Sequence, residues 1–148
     1  MKRPYMLWPL VLVLLVFALG GGYYGGIAML LDPTGNLLGV AEVLPLVPVP
    51  NFILPGLFLL AVMGIFPTLI AYALIARPEW AWTDWLFQWS KVYWAWTACL
   101  VIVAILVVWL AVEFMMIGWF PITSITAILG LLILLLAFLP SVRKFYAI

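Results

Sequence analysis

The sequence predicts an all-α fold, an integral membrane bundle of four transmembrane helices, and three observations carry that expectation. Hydrophobic residues fill 70% of the 148 positions and charged residues 7%, too few to clothe a water-soluble globule. Four stretches, approximately 7–31, 52–76, 92–117 and 122–140, meet or approach the roughly 20 apolar residues that a bilayer core about 30 Å thick requires. The only charge inside them is Glu113. One domain, residues 1–148, accounts for the chain, because the connections are too short to hold an extramembrane domain.

Residue counts exclude several chemistries. A net charge of +1 offers no basic face for nucleic acid, so no nucleic-acid partner is expected. Cys99 is alone, which rules out an intrachain disulfide or a paired-thiol relay, and its neighbours Thr97, Ala98, Leu100 and Val101 mark it as a small filler within a span. With no histidine, the usual axial ligand of a haem and the imidazole of many proton relays are missing. No cofactor, metal or catalytic residue is expected.

The first span carries Gly20, Gly21, Gly22, Gly25 and Gly26 in its second half. Ala18, Gly22 and Gly26 repeat every fourth position, and Gly21 with Gly25 forms a second small-xxx-small pair, a pattern that lets helices approach closely in lipid. The same glycines can instead open a groove for a lipid, pigment or quinone tail beside Tyr23 and Tyr24. Lys2-Arg3 before an apolar run and Ala18-Leu19-Gly20 also resemble a signal peptide, but apolar sequence continues to Leu31, well past a signal h-region of 7–15 residues. A retained span is expected.

The first loop opens with Asp32-Pro33-Thr34-Gly35, which suits a type I turn. An apolar segment follows, then Pro45, Pro48 and Pro50, which forbid a long regular helix. Such a loop is expected to lie over the helix ends as a lid. Asp32 is a candidate functional residue, although its ten-residue separation from Glu42 fits no cation loop.

In the second span, Pro67 near Gly64 is expected to kink the helix at mid-depth. Broken helices line substrate sites in transporters, but no convincing repeat relates the first and last helix pairs. The second loop and the start of the third span then hold Trp80, Trp82, Trp85, Trp89, Trp94 and Trp96. Trp82, Trp85, Leu86, Trp89, Tyr93 and Trp96 step by three or four, which predicts one face of a Trp-rich interfacial helix on the inner side. Indole rings prefer the headgroup level, and an aromatic platform for a partner subunit, a quinone head or a lipid is the competing role.

Glu113 is the other candidate functional residue. It lies 19 positions beyond Trp94, roughly 29 Å along a helix, and therefore close to the outer surface. Thr123, Ser124 and Thr126 stand across the turn at Pro121 as hydroxyl donors. A proton-coupled site and an ordinary interface residue both fit this pattern.

Lys2 and Arg3 precede the first span, Arg77 and Lys91 flank the second loop, and Arg143 and Lys144 follow the fourth. The positive-inside rule then places both termini and the second loop in the cytoplasm, with Asp32 and Glu42 outside. Asp32-Pro33-Thr34-Gly35, Leu38-Gly39, Phe52, Leu54-Pro55-Gly56 and Pro140-Ser141-Val142-Arg143 with Tyr146 together resemble a family of small, uncharacterised four-helix bacterial membrane proteins. That resemblance implies the topology and no activity.

The expected function is that of a non-catalytic accessory or scaffold subunit, or a lipid-binding module, of a prokaryotic plasma membrane. Its expected partners are membrane lipids and a protein subunit or a second copy. The rival from another class is a small oligomeric transporter, proton-coupled or specific for a small molecule, that uses Glu113.

Overall fold

The computed structural model describes residues 3–37, 39–86, 88, 92–118 and 121–147. Among them the chain forms seven helices and no strand, apart from one isolated antiparallel bridge between Val92 and Ala147. Helix α1 spans Leu7–Leu31 and α2 spans Ile53–Ala76, joined by a loop with a 3-10 helix at Ala41–Leu46. A short α3, Ala81–Leu86, precedes α4 at Trp94–Ile117. Then come α5, Pro121–Ala137, and α6, Pro140–Tyr146.

Helices α1, α2 and α4 have 25, 24 and 24 residues and are long and apolar enough to cross a membrane. At 1.5 Å per residue each reaches about 36 Å, more than a hydrocarbon core. The expected fourth span differs. Instead of one helix over 122–140, α5 ends at Ala137 and meets α6 at a bend of 67°. Pro140 is the cause: it lacks the N–H that would continue the ladder, and it holds Leu139 in extended backbone, φ −57° and ψ 134°. The architecture is therefore three long apolar helices plus a bent pair.

The Trp-rich helix is also shorter than predicted. Its helical face cannot run from Trp82 to Trp96, because Tyr93 is extended at φ −57° and ψ 137° and separates α3 from α4. Tyr93 gives its N–H to the carbonyl of Tyr146 at 2.8 Å, so this backbone bonds to the C-terminal segment and not to a preceding turn.

Both α1 and α2 contain a wide π turn, at Ala18–Tyr24 and Leu59–Ile65. In α2 the turn ends just before Pro67, whose ring and missing N–H disturb the turn below it. The proline is thus absorbed within one continuous 24-residue helix. The π turns of α1 and α2 pack against one another.

The four long helices form a ring in which α1 touches α2 and α5, and α4 touches α2 and α5. The ring is tight at the end that carries Arg3, Arg77 and Arg143, here the basic end. There Leu7, Leu10, Leu14, Phe17, Ile70, Leu74, Cys99 and Ile102 form a buried core. Along α4 the last buried side chain is Leu106, and from Val107 to Ile117 none is buried. Towards this far end the α1–α2 hairpin and the α4–α5 pair share little core, and the 3-10 helix Ala41–Leu46 reaches across to α4.

Candidate functional site

The small residues of α1 divide into two groups. Ala18 is buried, and a Cβ on Gly22 would overlap the backbone of Gly64 in α2. A Cβ on Gly26 would lie 2.7 Å from the Leu60 nitrogen, and one on Gly56 would lie 2.9 Å from Met29 Cβ. Gly22 and Gly26 thus face Gly64, Leu60 and Gly56, so two backbones meet without side chains between them. The Gly21–Gly25 pair is different. Nothing lies within 4 Å of a Cβ on Gly21, and one on Gly25 would make ordinary contact with Leu59. Beside this seam the Tyr23 and Thr68 hydroxyls are 2.9 Å apart, while Thr68 donates to the Gly64 carbonyl at 2.8 Å. Since the Thr68 proton is committed to Gly64, Tyr23 is the donor to Thr68.

At the far end, Asp32 terminates α1 and organises the loop after it. Its carboxylate accepts the Thr34 hydroxyl at 2.5 Å, the Thr34 N–H at 3.2 Å and the Leu37 N–H at 3.0 Å. Gly35 returns its N–H to the Asp32 carbonyl at 3.1 Å, closing the expected turn. Gly35 has φ +86°, and a Cβ there would come within 2.6 Å of the Phe52 ring. The turn is tied to α2 through the Phe52 N–H and the Pro33 carbonyl, 2.9 Å apart. The Thr34 hydroxyl holds the Asp32 carboxyl below the usual aspartate value; desolvation opposes it, and the Leu37 and Thr34 backbone N–H groups add to it. Asp32 is thus a loop-organising residue, its oxygens turned to its own backbone.

Glu113 lies one turn before the end of α4 and is half-buried. It continues the stripe Ile102, Leu106 and Trp109, spaced by three or four residues, that faces the ring interior lower down. Thr123 of α5, itself buried, donates its hydroxyl to Glu113 Oε1 at 3.2 Å. Trp109 stacks on Phe58 of α2, centroids 4.9 Å apart. Phe58, Ala104, Ile105, Val108, Trp109 and Val112 line an open groove of about 410 Å³ between α2 and α4. The carboxylate therefore sits at the edge of an apolar groove, where the ring is loosest.

The tryptophans of this segment differ in burial. Trp82 and Trp85 are 51% and 73% exposed, whereas Trp94 and Trp96 are buried; Trp89 lies outside the described residues. Trp80, Trp82 and Trp94 form a triangle with centroids 5.8–6.0 Å apart. The Trp94 indole and the Tyr93 hydroxyl both donate to the Pro78 carbonyl, the former at 3.2 Å. The exposed indoles, Trp82 and Trp85, precede the buried ones, Trp94 and Trp96, a distinction that spacing did not reveal.

The basic end also holds an arrangement that sequence reasoning missed. The Arg77 guanidinium lies 5.1, 5.0 and 5.2 Å from the ring centroids of Tyr93, Phe145 and Tyr146. Arg77 closes α2 in the left-handed conformation, φ 52°. Arg3 donates to the Ile75 carbonyl at 2.7 Å, meeting one of the carbonyls left free at the helix end. Arg3, Arg77 and the C-terminal segment therefore share one end; Lys2 and Lys91 lie outside the described residues.

The chain matches no family model, no curated protein and no solved structure. The resemblance carried by Asp32-Pro33-Thr34-Gly35 and Leu54-Pro55-Gly56 therefore identifies no family. What stands is a small helical protein with three or four candidate membrane spans, a candidate multi-pass membrane protein by helix length and hydropathy. Among the described residues, no three His, Cys, Asp or Glu side chains cluster to hold a metal ion.

Of the features the sequence singled out, the structure joins Glu113 to Thr123 and sets Gly22 and Gly26 against α2. Asp32 and Glu113 have separate environments. Gly56 and Gly64 carry the same every-fourth spacing, through Leu60, and that signal could have named the facing side of the seam. No local signal pointed to the Arg77 cage, whose rings come from positions 93, 145 and 146.

Proposed function

We propose that this chain is a four-span integral membrane protein, one domain over residues 1–148, with both termini and the Trp-rich loop cytoplasmic. In this reading it resides in a prokaryotic plasma membrane and acts without catalysis, as an accessory or scaffold subunit or as a lipid-binding module. The observation that carries the reading is the apolar surface left bare around the helices. Leu12, Leu19, Val107, Val108, Ile128 and Leu135 are 62, 63, 60, 64, 58 and 56% exposed. A surface of that kind is unsustainable in water and suits lipid or a partner helix. Its partners are then membrane lipids and either a protein subunit or a second copy.

The Glu113–Thr123 pair favours a second reading, a small oligomeric transporter, proton-coupled or specific for a small molecule. An intramembrane carboxylate with a hydroxyl donor is the chemistry such a device needs, and oligomerisation would enlarge the little volume four helices enclose. Mild-detergent purification of the tagged chain from its host, with mass spectrometry of co-purifying proteins and lipids, separates the two. A stoichiometric protein partner or a retained lipid supports the first reading. An isolated oligomer with a retained non-lipid small molecule, and a transport activity lost on Glu113→Gln, supports the second.

A further inference from the structure

We propose that the α2–α4 groove and Glu113 together bind one aminophospholipid, phosphatidylethanolamine, its acyl chain along the groove and its ammonium at the Glu113 carboxylate. This inference rests on the membrane reading above and adds a ligand class to it. The groove wall on α4 runs from Ala104 to Val112, roughly 12 Å of helix, and with Phe58 opposite it is apolar throughout. An occupant must therefore be apolar over that length.

The head of the occupant follows from charge. Glu113 stands one residue beyond the last groove-lining residue, Val112, and one helical turn beyond Trp109, on the same side of α4. A half-buried carboxylate needs a counter-charge or a proton. Among the described residues none supplies a counter-charge there, and no Lys or Arg occurs between Arg3 and Arg77 or between Lys91 and Arg143. Of the described basic residues, Arg3 and Arg77 are held at the opposite end, on the Ile75 carbonyl and in the aromatic cage, and Arg143 and Lys144 lie there too, in the C-terminal helix α6. A lipid ammonium has three N–H donors and forms a charge-assisted bond with a carboxylate. A choline head has no N–H to offer, and the net negative head of phosphatidylglycerol would be repelled.

The test uses the full chain in mild detergent, exposed to equimolar phosphatidylethanolamine, phosphatidylcholine and phosphatidylglycerol, with retained lipid read by native mass spectrometry. Wild type is expected to retain phosphatidylethanolamine at least tenfold over each of the others. Glu113→Gln is expected to abolish that preference, and Ala104→Trp, which fills the groove and leaves the carboxylate in place, to abolish retention of all three. Brominated-chain phosphatidylethanolamine added to wild type reads the site independently of any folding defect at Glu113. It is expected to quench a fluorescence component that is missing in Trp109→Phe. Equal retention of the three lipids by wild type overturns the proposal, as does a preference that survives Glu113→Gln or Ala104→Trp, or a basic protein segment found in place of lipid. Alkaline extraction of native membranes is the separate check: a chain that stays with the membrane but shows no lipid preference loses only this proposal.

Discussion

Trp96 donates its indole N–H to the carbonyl of Ala137 at 2.7 Å, in a buried position where α5 ends. This carbonyl belongs to the last residue of α5, where the helix gives way to the bend before Pro140 and its usual backbone donor is gone. Trp96 is thus part of the joint between α4 and the bent pair. Trp96→Phe keeps most of the ring and removes the donor, so it is expected to destabilise the fold by about 1–3 kcal/mol, the cost of a buried unsatisfied carbonyl. Thermal unfolding in detergent measures this, with the exposed Trp85→Phe as a control expected to lie within about 0.5 kcal/mol of wild type.

The α1–α2 seam makes a prediction that separates neighbouring glycines. Gly22→Ala and Gly26→Ala place a methyl against the backbone of α2 and are expected to cost about 1–3 kcal/mol each as overpacking. Gly20→Ala and Gly21→Ala meet open space, and their better helix propensity makes them neutral or stabilising by up to about 1 kcal/mol. Denaturant titration of the four variants ranks them, and equal losses at Gly21 and Gly22 would contradict the seam.

What was legible in the sequence follows from how strongly each feature is encoded locally. Leu7–Leu31 and Ile53–Ala76 were readable almost to their ends, because a long apolar run bounded by polar residues fixes a span without reference to anything else. Which face of each helix turns inward was not, since these helices are apolar all round and their pattern marks no side. Gly22 and Gly26 escaped that limit because small size is itself a packing signal. The stop at Pro140 was visible as a proline, yet the hydrophobic run through it hid the bend. Of the candidate site, the Thr123 hydroxyl was within reach of inference because a short turn joins it to Glu113. The rings around Arg77 are brought together only by the fold.

Arg77 is expected to resist conservative change. Lysine keeps the charge but loses the planar cation that three rings surround, so Arg77→Lys is expected to destabilise by about 0.5–2 kcal/mol. Arg77→Gly relieves the left-handed backbone but removes the cage entirely. If the cage dominates, its melting temperature falls below that of Arg77→Lys.

Asp32 gives the first loop a pH dependence of known sign. Its carboxyl lies below the ordinary value of 3.8 in the folded chain, so the stabilisation is present in full above that value. It is lost as the pH falls below 3.8 and through the folded value. Proteolysis of the loop by an acid-stable protease is expected to accelerate over that range, and Asp32→Asn is expected to flatten the dependence while raising the rate above it.

The most direct test of the membrane reading is cysteine accessibility, because the only native thiol, Cys99, is buried and silent. Single cysteines at Asn36, Glu42, Glu79 and Ala147 are treated with a membrane-impermeant maleimide in intact cells. Asn36 and Glu42 are expected to react from outside, and Glu79 and Ala147 only after permeabilisation. Reaction of Asn36 and Glu79 from the same side, or of all four before permeabilisation, would contradict the four-span topology with both termini in the cytoplasm.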